Sequence, residues 1–479
     1  MSFNSLEYLW FLPLVFCLYW FVCKPLKWQN LLVVAASYVF YGWWDWRFLI
    51  LIAFTTTCSY ASGLLIERLK AKGEKRKAYW ICTTNVVINL TILGIFKYLG
   101  FFAESFARLA SLIGWHLDTP TLHILLPIGI SFYTFQAIGY SIDVNRGVAK
   151  ASHDVVAFFA FVSFFPQLVA GPIERASNLL PQFYKTRTFD YALAVDGLRQ
   201  ILWGYVKKLV IADNCAIYVE AIYSNPTSLG SQHLAMGLLL FFLQVYGDFS
   251  GYSDMAIGSA KLFGISLMRN FEVPMFSRNI PEFWNRWHIS LNKWFFNYVF
   301  MSLGGWGNKW KIARTVIIVF GLCGLWHGAN WTYVSWGLYF GMLTIPYFIK
   351  MDFLGSRKPI VDKDSLLPSL KETWQMMCTF ALVLLGSPLF RCQSLGDAGQ
   401  YYACLFTQGI VHGGPKYGHG LLTLIVLLFV VEWIQRKKEH PLQIDNIPWR
   451  WVRWGIYYSL LVLIFFFYIS TSQFLYFQF

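Results

Sequence analysis

Two histidines stand in surroundings where an imidazole could do chemistry. His327 interrupts an apolar run. Val316 to Leu325 leads into Trp326-His327-Gly328-Ala329-Asn330-Trp331, and a second apolar segment follows at once. His288 lies 39 positions upstream, inside Arg278 to Trp294, a polar stretch unlike the apolar runs on either side. A neutral imidazole can take the proton of a hydroxyl as that oxygen attacks an acyl carbonyl, which is general-base catalysis of acyl transfer. It can also act as the nucleophile and pass through an acyl-histidine. Asn, Arg or backbone N–H groups nearby would hold the oxyanion. The ordinary alternative is an interior histidine bonded to a backbone carbonyl. At membrane depth a charged or unsatisfied imidazole costs at least about a few kcal/mol, so an ionisable residue there is a functional candidate by default.

Read as one helix from Pro281, the polar stretch puts Trp284, Trp287, Leu291 and Trp294 in one stripe and Asn285, His288 and Asn292 on a neighbouring face. Arg286, Ser290, Lys293 and Asn297 form a further polar line. So polar a helix must line protein-enclosed water or lie at the membrane interface. Asn285, Arg286, Trp287 and Asn292 are therefore candidate substrate or acyl-donor contacts, with Trp326 and Asn330 beside His327. Gly328 and Ala329 would keep the backbone open to a substrate, although a glycine at a helix break is equally a structural convenience. The tryptophans around both histidines read better as interface anchors and packing than as a sugar-stacking platform. His440-Pro-Leu-Gln-Ile-Asp445 matches H-x-x-x-x-D, but it sits in a polar loop and reads as a chance match. No G-x-S-x-G and no G-x-x-x-x-G-K-[ST] occurs, which excludes a serine-hydrolase elbow and argues against an ATP-driven pump.

The elements that must position these residues are membrane helices. Of 479 residues 57% are apolar and only 13% charged, with a mean hydropathy of +0.47. At about 20 residues per crossing the apolar content allows at most about 13 helices. Apolar runs lie at 9–23, 31–42, 48–66, 79–96, 122–142, 155–170, 233–247, 314–326, 331–349, 375–390, 420–434 and 455–470, so we expect an all-α integral membrane protein of about 10–12 segments. No polar block is large enough for a separate globular unit, and one domain over 1–479 is expected. The net charge of +14 gathers in short loops rather than on a basic face, which argues against nucleic acid and fits the positive-inside bias. With the basic loop Arg68 to Lys77 cytoplasmic the N-terminus falls outside, and with the basic segment Arg436-Lys437-Lys438 cytoplasmic before the last span the C-terminus does too. Asp196 to Asp213, with Arg199, Lys207 and Lys208 among apolar residues, reads as an amphipathic helix along the cytoplasmic surface. The nine cysteines include no C-x-x-C pair; they read as buried thiols, and no metal site is expected.

Five motifs carry a resemblance. They are Pro127 to Gln136, Phe165 to Arg175 (with Gln167, Gly171, Pro172 and Glu174), Asp248 to Gly258, Phe283-Trp-Asn-Arg-Trp-His288, and Gly324-Leu-Trp-His327-Gly-Ala-Asn330-Trp. With them, nearly the whole chain resembles the membrane-bound O-acyltransferase family, in its bacterial alginate O-acetyltransferase-like branch. Alginate-type members usually carry an Arg/Asp pair where this chain has Phe296 and Asn297. The resemblance implies a helical funnel, a catalytic histidine at the position of His327 and a second at the position of His288. Gln136, Gln167 and Asp248, which stand in the motifs, join the candidate donor contacts.

The same resemblance implies that an acetyl or other short acyl group, from a cytoplasmic thioester such as acetyl-CoA, reaches an exported or cell-surface polysaccharide. It implies an extracytoplasmic esterase-like acyltransferase partner, a home in the cytoplasmic membrane and no bound cofactor. D-alanyl transfer to teichoic acid stays open. A secondary transporter using His288, His327, Asp248 and Glu174 is the non-enzyme alternative; it predicts repeat symmetry, which the sequence lacks.

Overall fold

In a bilayer every backbone N–H and C=O must find its partner inside the protein, and a helix does this within one segment. The computed structural model, which describes residues 1–116, 125–350, 367–410 and 414–469, is built of helices, with no strand among the described residues. Among the described residues six helices are long and apolar enough to cross a membrane: Trp46–Ala71, Lys75–Ser111, Ser231–Leu262, Lys309–His327, Leu370–Arg391 and Arg450–Phe467. Leu6–Val22 and His419–Ile434 are shorter apolar helices.

The chain forms two compact units. One comprises Met1–Ala194 with Ser259–Met268, the other Val195–Gly258 with Arg269–Phe479. In the first, small polar side chains join three helices: Asn85 Nδ2 donates to Ser141 Oγ at 2.8 Å, and the Ser141 and Ser62 hydroxyls bond at 2.7 Å. The expected segment at 155–170 is broken instead. Val155–Ser163 is a nine-residue helix, and Phe165–Leu168 is a single turn that begins beside Pro166. Proline cannot continue a helix without losing a hydrogen bond and clashing with the preceding turn. The carbonyl of Phe161, near the broken end, accepts from both Gln136 Nε2 at 2.9 Å and Gln167 Nε2 at 2.8 Å. Two residues singled out as donor contacts thus close a helix end. Arg175 donates to the buried Asp143 at 3.0 Å, and Glu174 accepts from Asn178 at 2.7 Å.

In the second unit, Ser231–Gly258 lies against Val195–Tyr205 and the π-helical Val206–Ala212 at a separation only glycine permits. A Cβ placed on Gly251 would come within 2.7 Å of the Gly204 carbonyl, one on Gly247 within 2.8 Å of the Lys207 carbonyl, and one on Gly258 within 2.5 Å of the Gly197 carbonyl. Gly247 and Gly251 have the G-x-x-x-G spacing with which membrane helices bring their backbones together.

That approach encloses charges. Lys207 and Lys208 do not form a surface face: both are buried, Lys208 against Asp248 at 2.5 Å and Asp213 at 2.9 Å, Lys207 against Asp254 at 2.6 Å. Asp248 and Asp254 lie in the body of the long helix Ser231–Leu262. The H-x-x-x-x-D match also resolves into structural pairs, His440 with Asp196 at 3.0 Å and Asp445 with Arg199 at 2.6 Å.

Removing one partner from a buried ion cluster leaves uncompensated charge and costs about 3–5 kcal/mol. Lys208→Ala, which strands Asp248 and Asp213 together, is expected to lose most or all of the folded protein in detergent. Asp213→Ala, which leaves Lys208 with Asp248, is expected to lose less. Fluorescence-detected size exclusion after a heat ramp reads both.

Candidate active site

His288 does not lie within a helix. Asn279 caps the start of Ile280–Arg286 by accepting from the Glu282 N–H at 2.8 Å, and Pro281 occupies the first turn, where its missing N–H is not needed. The helix then stops. His288 takes φ 44° and ψ 53°, a left-handed conformation shared with one other non-glycine residue among those described, and Ile289–Trp294 begins after it. The predicted face of Asn285, His288 and Asn292 therefore does not exist. Asn292 turns back across the break, donating Nδ2 to the Trp287 carbonyl at 2.8 Å and also to that of Trp284. Asn285 stays half-buried on the first half.

Arg286 is engaged as well. Glu282, with its side chain 1% exposed, accepts from Arg286 at 3.0 Å and from the Arg278 side chain at 3.1 Å, while Arg278 also reaches Glu372 at 3.2 Å. Glu282 is a residue that motif reasoning missed. Its signal was present, since 278, 282 and 286 are spaced i, i+4, i+8 with alternating charge.

His327 is the last residue of Lys309–His327, and Asn330 caps Trp331–Ile349 by accepting from the Thr332 N–H at 3.1 Å while donating to the Gln393 carbonyl at 2.8 Å. Asn330 thus holds a helix start. The two helices are pressed together at glycines: a Cβ on Gly324 would meet the Tyr333 carbonyl at 2.1 Å, and one on Gly337 the Phe320 carbonyl at 2.1 Å. Gly328 is no opening for a substrate either, because the Tyr333 ring would lie 2.2 Å from its Cβ.

Both imidazoles are buried, His288 1% and His327 3% exposed. Trp326 connects them, its indole edge-on to His288 at 5.7 Å and to His327 at 4.9 Å between ring centroids. Phe249 flanks His288 at 4.6 Å, and Trp336 and Phe390 flank His327 at 5.1 and 5.2 Å. His327 lines a cavity with about 470 Å³ of empty space, whose wall is aromatic and aliphatic apart from His327 and Ser387 and includes Trp287. Of the candidates, the structure brings together His327, His288, Trp326 and Trp287. Arg286, Asn292 and Asn330 bond to an acid or to carbonyls, Asp248 belongs to the Lys208 cluster, and Gln136 and Gln167 bond within the first unit. Ser387 was not foreseen; it lies inside an apolar run with nothing but a following proline to mark it. Among the described residues no group of three or more His, Cys, Asp or Glu could hold a metal ion.

An all-helical chain with apolar crossings and a histidine in the wall of an apolar cavity has the build of an integral-membrane acyltransferase. Residues 148–350 match the model of the membrane-bound O-acyltransferase family. The chain is 40% identical to a probable alginate O-acetylase of Azotobacter vinelandii, over 85% of this chain and 79% of that one. It is equally 40% identical to the Pseudomonas aeruginosa protein of the same name, over 85% and 75%. A peptidoglycan O-acetyltransferase of Helicobacter pylori is 30% identical over 98% and 95%. The chain belongs to the membrane-bound O-acyltransferase family. It is a multi-pass membrane protein and an acyltransferase.

Because Asn330 caps a helix, Asn330→Ala is expected to lower stability by about 1 kcal/mol and to leave the KM for the acyl donor within about twofold, as no uniform binding contact is removed. Gly324→Ala, which must displace a backbone carbonyl, is expected to abolish recovery of folded protein. A melting curve in detergent and steady-state kinetics of the first variant check these expectations.

Proposed function

We propose that this chain moves an acetyl or similarly short acyl group from a cytoplasmic thioester across the membrane for O-acetylation of an exported or cell-surface polysaccharide. The observation that carries the reading is His327 in the wall of an otherwise almost wholly apolar cavity, linked to His288 through one shared indole. An aromatic and aliphatic cavity accepts the acyl thioester end of a donor and keeps water from hydrolysing it. The names of the relatives, which are acetylases of alginate and peptidoglycan, support acetyl as the group and a glycan as its destination.

In this reading a hydroxyl enters beside His327, which takes its proton as the oxygen bonds to the thioester carbonyl. The tetrahedral oxyanion collapses, the C–S bond breaks, and the proton passes from the imidazolium to the leaving thiolate. An ester and a free thiol result. Ser387, on the same cavity wall, supplies an O–H donor toward the oxyanion, and His288 orients or assists from across Trp326. Acetyl-CoA is the donor we expect. An extracytoplasmic esterase-like partner would complete transfer to the polymer, with the cytoplasmic membrane as the setting and both termini outside.

Membrane vesicles carrying the full chain, given acetyl-labelled CoA, test this. His327→Ala is expected to lower thioester consumption by about 100-fold or more, the range of a lost general base, while the protein still inserts. Full consumption by that variant would remove His327 from the mechanism. Turnover of a D-alanyl thioester in place of acetyl-CoA would redirect the reading to teichoic acid. Solute flux with no thioester consumed would replace it by transport.

A further inference from the structure

For an L residue the left-handed conformation costs about 1–2 kcal/mol, and His288 holds it without being glycine. Such an outlier persists only where its surroundings over-determine it. The surroundings here are one short segment, Asn270 to Glu272, whose backbone grips both sides of the break. The Asn270 carbonyl accepts from the Ile289 N–H at 2.9 Å, and the Glu272 N–H donates to the Arg286 carbonyl at 3.0 Å.

The Asn270 side chain tightens that grip. Its Oδ1 accepts from the Ser290 hydroxyl at 2.6 Å and from the Ser290 N–H at 3.3 Å. Two donors converging on one atom fix which end of the carboxamide faces the turn. The other end, Nδ2, is buried with no hydrogen-bond partner, on a residue that is 0% exposed. Asn270 also lines a polar cavity with about 440 Å³ of empty space, beside Lys207, Asp254, Arg269 and Glu432. The carboxamide oxygen is thus committed to Ser290.

We propose that Asn270 is a positioning residue for acyl transfer: by accepting from Ser290 it sets the left-handed turn that aims the His288 ring at Trp326. This rests on the reading of His288 as a participant in the reaction. Asn270 touches no substrate and acts through His288.

The test is a double-mutant cycle on the full chain in membrane vesicles, reading kcat and KM for acetyl-CoA. Asn270→Leu keeps the branched heavy-atom skeleton, with slightly more bulk, and removes both polar ends. It is expected to lower kcat by about 10–100-fold with KM within about twofold, the pattern of a displaced catalytic group. Asn270→Asp, which keeps an oxygen facing Ser290, is expected to recover kcat to within about fivefold of the parent. In a His288→Ala background, Asn270→Leu is expected to change kcat by less than about twofold, because coupled residues do not add. Inserted Asn270→Leu protein with kcat within about threefold of the parent, or losses that multiply in the double variant, would overturn the assignment. Should Asn270→Leu fail to insert, Ser290→Ala takes its place in the same cycle, with an expected loss of about 5-fold that again vanishes in the His288→Ala background. Parental kcat in His288→Ala alone would instead defeat the participation of His288, a separate result from failure of the clamp.

Discussion

A backbone can be broken beside a buried cavity only if the N–H and C=O groups it frees are bonded again within the protein, and in this molecule side-chain carboxamides do that work. Asn292 donates to the carbonyls before the His288 break, and Asn270 receives the donors after it. Gln136 and Gln167 converge on the Phe161 carbonyl where another apolar segment stops short, and Asn330 opens the helix that follows His327. An orphaned backbone group in an apolar interior costs several kcal/mol.

Formal charge is handled by the same rule. Glu282 stands between Arg278 and Arg286, and Lys208 between Asp248 and Asp213. Each central charge is almost fully buried and faces two partners, which satisfies more of its hydrogen-bonding capacity than one could. The consequence for the site is an absence of formal charge from the wall of the His327 cavity. In so weakly screened a space, the imidazolium and the oxyanion that form together in the proposed reaction attract each other strongly.

Long apolar helices were legible because hydropathy is a local property: the runs expected at 48–66, 314–326 and 331–349 lie within observed helices or match them to within a residue. The histidines were legible because so few ionisable residues fall in apolar sequence. The roles of their polar neighbours were not. Periodicity places Asn285, His288 and Asn292 on one face only while the helix continues, and nothing local announces a left-handed histidine. The partners that decide the outcome are remote, with Asn270 lying 20 positions before Ser290 and Lys208 lying 40 before Asp248. A basic amphipathic pattern looks the same whether its lysines meet water or two aspartates. Glu282 is the exception, readable from i±4 spacing alone.

The two histidines are held by different physics, and that difference assigns them different freedoms. His327 ends a helix locked to its neighbour by glycine contacts at Gly324 and Gly337, where displacement means moving backbone against backbone. Packing of that kind resists displacement steeply, because interiors are dense and yield little. His288 sits in a strained turn held by a few hydrogen bonds, each worth about 1 kcal/mol net, so its ring position depends on keeping those bonds. In the proposed reaction, adjustment of the pair is therefore less costly on the His288 side. His327 is suited to fix the position of the reacting atoms, and His288 to follow them.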